Sequence, residues 1–347
     1  MTHLWVRAEQ RADECRVGVT PDGVAALVRA GIRVTIEDSP DRVIPLTPYL
    51  AAGALAAPYA SWPDAPSDAI IFGLKELPEN DAPLRHRHIY FGHAFKGQAG
   101  ATRLFARFRA GGGALYDLEY LTDQNGRRVA AFGYWAGYAG AAVSLLAYAA
   151  QENSAICPPV ARFADKGAMT KAVAAALSDL RPSVLVVGAL GRVGTGASDL
   201  CRAVGAQVIA WDVAETAHGG PFPQILAADV FLNCILAGPG CPVFVPASAL
   251  TDTARGLRVI GDIACDPSSD FSPIKVNDRV TCWAAPVHRV AQNPVLDVMA
   301  IDNLPSLLPL ESSHDFAAQL LPHLLTLSDL TDGVWARARA VFDAHIG

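Results

Sequence analysis

Between Ser183 and Val204 the chain passes from a short run suited to a buried strand, Ser183-Val-Leu-Val-Val187, into a turn built on Gly188, Gly191, Gly194 and Gly196, and then into a helix-forming stretch. Glycines at a strand-to-helix turn let backbone approach a ligand closely, and a helix amino terminus presents unpaired N–H groups that favour an anion such as a pyrophosphate. The spacing departs from the usual G-x-G-x-x-G because Leu190 stands near the second glycine position. The same glycines would also serve a tight turn that binds nothing.

Asp212 sharpens the choice. It ends the next strand-like run, Gln207-Val-Ile-Ala-Trp-Asp212, at the distance from the glycines where an acidic residue accepts hydrogen bonds from the ribose hydroxyls of a dinucleotide. The following Val213-Ala-Glu-Thr-Ala-His-Gly-Gly220 carries no lysine or arginine to receive a 2′-phosphate. NAD is therefore the expected cofactor, in preference to NADP.

A chain of 347 residues exceeds the size at which single cores usually divide, so two domains are expected. Strand-like runs at Leu4–Ala8, Arg33–Asp38, Asp68–Gly73, Ile89–Gly92 and Ala114–Glu119 alternate with helical stretches in the first third. Thr20-Pro21-Asp22 starts one of those helices with an N-cap and a proline at its first position. After a helix near residues 134–151 and another near 167–180, a second series follows at 183–188, 207–212, 229–235, 258–263 and 280–283. This alternation predicts an α/β protein of two Rossmann-like domains with mostly parallel sheets and an interdomain crevice. The expected division is residues 1–132 plus 309–347 as catalytic and substrate domain, and 133–308 as NAD-binding domain.

Two strand-like runs end in ionisable clusters: Asp68-Ala-Ile-Ile-Phe-Gly-Leu-Lys-Glu-Leu-Pro78 and His88-Ile-Tyr-Phe-Gly-His-Ala-Phe-Lys-Gly-Gln98. Ligands of open α/β sheets bind outside the carboxyl ends of the strands, so Lys75, Glu76, His93 and Lys96 are expected to meet at one mouth as the catalytic centre. Taken singly, Lys75 reads equally well as a surface lysine and His93 as a core histidine. Arg127 and Arg128 suit bidentate recognition of an anion, or a clamp on Asp123 or Glu119.

Net charge of −6 without a basic run argues against a nucleic-acid partner. Seven cysteines without a Cys-x-x-Cys pair fit free thiols in a reducing compartment, and the charged first residues do not resemble a secretory signal, so a cytoplasmic protein is expected. Residues 129–150 lack charge and are long enough to span a bilayer, with Gly133 and Gly137 in small-xxx-small spacing. Their Ala, Gly, Tyr and Trp content favours instead a strand-like Arg128–Phe132 followed by a helix buried between two domains. No metal site is expected, since the nine histidines lack ligand spacing; the pair His86 and His88 on one strand face is the nearest approach.

The chain resembles the NAD-dependent, lysine-forming saccharopine dehydrogenases, relatives of alanine dehydrogenase and the transhydrogenase subunit. The resemblance rests on Arg7-Ala-Glu9, Glu14-Cys-Arg16 with Thr20-Pro21, Gly73-Leu-Lys-Glu-Leu-Pro78, His88-Ile-Tyr-Phe-Gly-His93 with Lys96 and Gln98, Leu115-Tyr-Asp-Leu-Glu119, Gly126-Arg-Arg-Val-Ala-Ala-Phe-Gly133, Gly188-Ala-Leu-Gly-Arg192, Trp211-Asp212 through Glu215-Thr216, Gly219-Gly-Pro-Phe222, Asp266 and Ile301-Asp-Asn-Leu-Pro-Ser306. It implies hydride transfer from saccharopine to NAD and hydrolysis of the resulting imine to lysine and 2-oxoglutarate. It further implies Lys75 as the base toward the secondary amine and His93 as the acid/base for water addition. Substrate contacts are implied at Arg16, Lys75, Gln98, Arg128, Phe132, Ala264, Cys265 and Asp266. Cofactor contacts are implied at Arg127, Gly191, Arg192, Asp212, Thr216, Leu236, Ile263, Ile301, Asp302, Asn303 and Leu304.

A lysine with its ordinary pKa is a poor base at neutral pH, so Lys75 needs burial or a cationic neighbour. Lys96 and His93 are the expected neighbours, with Glu76 and Glu119 opposing them. Where the family often has His-Cys-Tyr-Lys, this chain has His93-Ala-Phe-Lys96, which leaves the amine partner open. The alternatives are a related opine-type or alanine-type dehydrogenase, a non-catalytic NAD-binding regulator, and a membrane component.

Overall fold

The computed structural model describes residues 1–11, 13–98 and 100–347, and its chain contacts divide into two compact units, Met1–Ala131 with Pro309–Gly347, and Phe132–Leu308. The first unit contains β1 (His3–Val6), α1 (Pro21–Arg29), β2 (Arg33–Glu37), α2 (Leu46–Ala51), β3 (Leu55–Ala57), β4 (Ile70–Phe72), β5 (Arg87–Tyr90), α3 (Ala101–Gly111) and β6 (Ala114–Asp117). Every neighbouring pair of its strands is parallel, in the order β3-β2-β1-β4-β5-β6. Leu4, Ile70, Ile71, Phe72, Ile89 and Leu115 are almost wholly buried, the near-continuous apolar character of strands covered on both faces. Thr20 caps α1 by accepting a hydrogen bond from the Gly23 amide at 3.2 Å, with Pro21 at the first helical position. The strand order reverses between β1 and β4, the switch point at which such sheets open a crevice.

The second unit runs α4 (Gly133–Glu152), α5 (Lys166–Leu177), β7 (Ser183–Val187), α6 (Arg192–Ala203), β8 (Gln207–Trp211), α7 (Val213–Thr216), α8 (Pro223–Ala227), β9 (Val230–Asn233), β10 (Val259–Asp262), β11 (His288–Gln292) and β12 (Val295–Met299). Its strand order is β11-β12-β10-β9-β7-β8, parallel except for the β11–β12 pair. Order reverses here between β7 and β9. The helices α9 (Pro309–Leu324) and α10 (Gly333–Ile346) belong to the first unit, α9 packing on α1 and α10 on β6 and α3.

Helix α4 is buried nearly all round, from Gly137 through Ala149 with few breaks. A Cβ on Gly137 would stand 1.8 Å from the Val193 carbonyl oxygen, and one on Gly196 would stand 1.9 Å from that of Tyr134. The glycines of α4 and α6 therefore bring two helix backbones into contact. Its packing partners in its own unit include α5, α6, β9, β10 and β12. Among the described residues no helix is long and apolar enough to cross a membrane.

Two strand expectations fail. Residues 280–283 form only isolated bridges, Thr281 with Ile301 and Cys282 with Ala285, and the place beside β10 is taken by β12. Val280 is largely exposed, so that run lacks the burial a sheet strand would give it. Residues 128–132 likewise provide only an antiparallel bridge from Arg128 to Thr122 before α4 begins.

Candidate active site

At the carboxyl edge of the first sheet, β4 leads to Lys75 and Glu76, β5 to His93 and Lys96, and β6 to Asp117 and Glu119. A His93 Nε2 lies 3.5 Å from Glu76 Oε1, whose other oxygen is 3.5 Å from Arg11. The His93 ring stacks on Phe91 with 6.3 Å between centroids. His93 has φ of +46°, a left-handed conformation that costs a non-glycine residue about 1–3 kcal/mol and is characteristic of functional positions. Beside it a cavity of about 260 Å³ is lined by Glu76, Tyr90, His93, Arg103, Leu104 and Arg107, among others.

Burial, followed by the charge of Arg16, lowers the pKa of Lys75 from its ordinary value; Arg11 acts in the same direction, while Glu14 and Glu76 oppose. This corrects the expectation that Lys96 and His93 supply the cationic neighbours. Lys96 Nζ instead donates to Glu119 Oε1 at 2.7 Å, and that hydrogen bond raises the lysine pKa. Burial pushes the Glu119 carboxyl up, but the Lys96 hydrogen bond and the Arg128 charge outweigh it and hold the group below its ordinary value. Arg128 stands 3.5 Å from Glu119. Arg127 donates its backbone N–H to Asp123, at 2.9 Å, and its side chain is exposed.

Arg16 is buried and binds Glu14 through two side-chain bonds, at 2.8 and 2.5 Å. Burial raises the Glu14 carboxyl, and Arg16 more than reverses this. Gln98 accepts the Lys96 amide at 2.7 Å, shaping the loop after His93. The first unit thus gathers Arg16, Lys75, Glu76, His93, Lys96, Gln98, Glu119, Arg127 and Arg128.

The second unit carries the glycine turn and its neighbours. Gly188 has φ of +83°, and a Cβ on Gly194 would meet the Gly188 carbonyl oxygen at 2.1 Å, so both positions require glycine. Gly191 is the N-cap of α6, which receives no side-chain cap. Asp212 accepts from the Leu190 amide at 3.0 Å and from the Val213 amide at 2.9 Å, while Glu215 returns a bond to the Asp212 amide. A carboxylate has about four lone-pair sites, so the pair used here leaves acceptor capacity for a ribose diol. Thr216 donates to the Asp212 carbonyl. Leu190, Val213 and Leu236, following β7, β8 and β9, are each at least 70 % exposed. Three such side chains at adjacent strand ends form an apolar rim suited to a flat base.

Ile263, Ile301 and Leu304 are core residues, which leaves their main-chain groups as what they can offer a ligand; Asp302 and Asn303 are more open. A cavity of about 10 Å³ is lined by Asn233, Asp262, Ala264 and Asp266, among others. Asn233 Nδ2 donates to Asp262 at 2.9 Å, and its buried Oδ1 has no partner among the described residues. Cys265 has φ of +53°, and its thiol, pushed up to about 12 by burial, faces the Ala300 carbonyl at 3.2 Å. Phe132 belongs to this unit and is the N-cap residue of α4. The glycine cradle, the Asp212 acceptors and the orphaned Asn233 oxygen fit a dinucleotide.

Sequence reasoning missed Glu9, Glu14 and Asp117. Asp117 accepts from the Gly92 amide at 3.0 Å and the Glu119 amide at 2.8 Å, tying β6 to the segment entering His93; burial pushes its carboxyl up to about 6. An acid ending a strand was the available signal, but its partners lie elsewhere in the chain. His86 and His88 are both buried, His88 among Trp62, Tyr90 and Phe108, and among the described residues no group of three or more His, Cys, Asp or Glu could hold a metal.

These features define an α/β oxidoreductase of the dinucleotide-dependent dehydrogenase class. Residues 5–139 match the family of the alanine dehydrogenase/PNT N-terminal domain. A solved L-alanine dehydrogenase shares the fold across 100 % of both chains with a TM-score of 0.70 at 18 % identity, and a transhydrogenase from Sinorhizobium meliloti does so with 0.63 at 18 % identity, covering 95 % of this chain and 96 % of the other. Two relatives are much nearer in sequence. The saccharopine dehydrogenase [NAD(+), L-lysine-forming] of Schizosaccharomyces pombe is 42 % identical over 99 % of this chain and 98 % of its own, and that of Neurospora crassa is 43 % identical over 99 % and 96 %. The chain belongs to the lysine-forming, NAD(+)-dependent saccharopine dehydrogenase family.

Proposed function

We propose that the protein catalyses the reversible, NAD-dependent oxidation of saccharopine to L-lysine and 2-oxoglutarate, with Lys75 as base and His93 as acid/base. What supports this is a lysine following the switch-point strand of the first sheet, with its pKa lowered by burial and Arg16, and a histidine whose ring lies 3.5 Å from Glu76, a carboxylate that also acts on that lysine. NAD, when bound, supplies the hydride acceptor.

Hydride can leave the glutamyl carbon only as the nitrogen lone pair becomes available to form C=N, so the secondary ammonium must first lose its proton. Lys75 takes that proton. His93 then delivers and removes protons as water adds to the imine carbon and the carbinolamine collapses to amine and ketone. The reaction balances as saccharopine, NAD⁺ and water giving lysine, 2-oxoglutarate, NADH and a proton. Arg16, Gln98 and Arg128 are assigned to the dicarboxylate end, with Phe132, Ala264, Cys265 and Asp266 completing the substrate contacts. Glu76, Lys96 and Glu119 set the charge around the acid/base pair.

Gly191 and Arg192 are assigned to the pyrophosphate and Asp212 to the ribose, with Thr216 and Leu236 beside the adenosine. Arg127, Ile263 and the stretch from Ile301 through Asp302 and Asn303 to Leu304 complete the cofactor contacts. We place the reaction in the cytoplasm, which the seven free cysteines support. The test is incubation of purified protein with saccharopine and NAD⁺ and identification of products by mass spectrometry. Lysine and 2-oxoglutarate in equal amounts with NADH are expected; an oxo acid other than 2-oxoglutarate, or none, would overturn the assignment.

A further inference from the structure

We propose that Glu9, held by Arg7, is a positioning residue for Lys75: the carboxylate and the guanidinium grip the Lys75 peptide from both sides and fix where its ammonium stands. The proposal rests on Lys75 as the base. Beyond Phe72 the strand ladder of β4 runs out on the β1 side, because the two chains diverge at the switch point. Buried amides left there need acceptors. Glu9 Oε1 accepts from the Leu74 amide at 2.6 Å and Oε2 from the Lys75 amide at 3.0 Å. On the opposite side of the same residue, the Arg7 guanidinium donates to the Lys75 carbonyl.

The grip is itself anchored. Arg7 is 2 % exposed, lies 3.4 Å from Glu9 Oε2, donates to the Ala8 carbonyl at 3.3 Å, and sits over the Tyr90 ring at 5.9 Å. A Cβ on Gly73 would meet the Arg7 Nε at 2.4 Å, so glycine there lets the strand pass the guanidinium without displacing it. Leu74 in turn accepts the Phe91 amide at 3.0 Å, linking the held segment to the one that leads into His93. Arg7 and Glu9 act through the backbone of Lys75.

The charges acting most on the Lys75 ammonium are Arg16 and Arg11, which favour the neutral amine, and Glu14 and Glu76, which oppose them; the Glu9 carboxylate on the Lys75 amide is a further anion beside it. Glu9→Gln replaces one acceptor with a donor that faces an amide, so one of the two N–H bonds is lost and the Lys75 peptide loosens. A loosened Lys75 reaches solvent, loses the burial that lowers its pKa, and needs a higher pH to act as base. Loss of the Glu9 charge alone would do the reverse, because removing a nearby anion destabilises the ammonium.

The experiment is the pH profile of kcat/KM for saccharopine oxidation in wild type, Glu9→Gln, Arg7→Lys and Lys75→Met, with NADH affinity measured in each. Positioning predicts that Glu9→Gln lowers kcat by about tenfold to a hundredfold, leaves NADH affinity unchanged, and moves the acidic limb to higher pH. Arg7→Lys, which keeps the charge but loses the fork, moves the limb the same way by less and serves should Glu9→Gln not fold. A limb that stays in place or moves to lower pH, while Lys75→Met is inactive, overturns the positioning role and leaves the base assignment standing. Wild-type turnover by Lys75→Met overturns the base assignment itself.

Discussion

Substituting Asp212 by alanine separates two roles that one carboxylate carries. In the protein alone it caps α7 and accepts the Leu190 amide. Loss of such a cap costs about 1 kcal/mol, and the Leu190 amide, on a largely exposed residue, recovers a water partner at small cost. A loss of that size lowers the melting temperature by about 2–4 °C for a unit of this length. The cofactor loses more. Two ribose hydroxyls donating to a charged acceptor are worth about 1.5–3 kcal/mol each, so even the lower bound, roughly 3 kcal/mol, raises the NADH Kd by about 150-fold. NADPH should gain relative to NADH, since no carboxylate then faces the 2′-phosphate. Fluorescence titration of NADH and NADPH, thermal denaturation, and the KM for 2-oxoglutarate at saturating NADH measure these separately. An NADH Kd within threefold of wild type, with the melting temperature lowered as expected, would show that Asp212 only caps a helix. A parallel loss for 2-oxoglutarate would discredit the ribose assignment.

Lys75→Met should reduce turnover by about 10²–10⁴-fold with NADH affinity unchanged, as steady-state kinetics and titration will show. Because burial and Arg16 lower the Lys75 pKa, kcat/KM should rise with pH to a limb below the ordinary lysine value, and Arg16→Gln should move that limb upward. Gly194→Ala puts a methyl group 2.1 Å from the Gly188 carbonyl oxygen and should abolish NADH binding in titrations of folded protein. The Asp117 carboxyl, raised to about 6, binds its proton more tightly folded than unfolded; this contribution to stability is fully present below about pH 4 and is lost as pH rises through 6. Denaturant unfolding of wild type against Asp117→Asn should therefore diverge across that window by up to roughly 3 kcal/mol, at about 1.4 kcal/mol per unit.

What could be seen in the chain followed the range over which each signal acts. The glycine turn and Asp212 are local chemistry: four glycines, a strand before them and an acid after the next strand need no distant partner to be recognised. Lys75 and His93 stood out because each ends a strand-like run in a parallel arrangement. The apolar stretch of α4 gave its length but not its surroundings, which depend on the contact of Gly137 with Val193 in a helix far along the chain. The β11–β12 hairpin escaped notice because β11 is an edge strand whose residues are half-buried or exposed. Residues 280–283 mislead for the opposite reason: their composition suits a strand, but the place beside β10 is occupied by β12. Glu9 and Asp117 were visible as acids but not as ligands of the Leu74, Lys75, Gly92 and Glu119 amides. Strand-end spacing points to Lys96 and His93 as the neighbours that tune Lys75, while the folded chain uses burial and Arg16.

Saccharopine formation is tested by following NADH oxidation at the cofactor's own near-ultraviolet absorbance with 2-oxoglutarate and a panel of amines that includes lysine, ornithine, alanine and ammonia. Turnover with lysine far above every other amine, and saccharopine as its product, is the predicted result. Turnover confined to another amine, or none from protein that binds NADH, would contradict it.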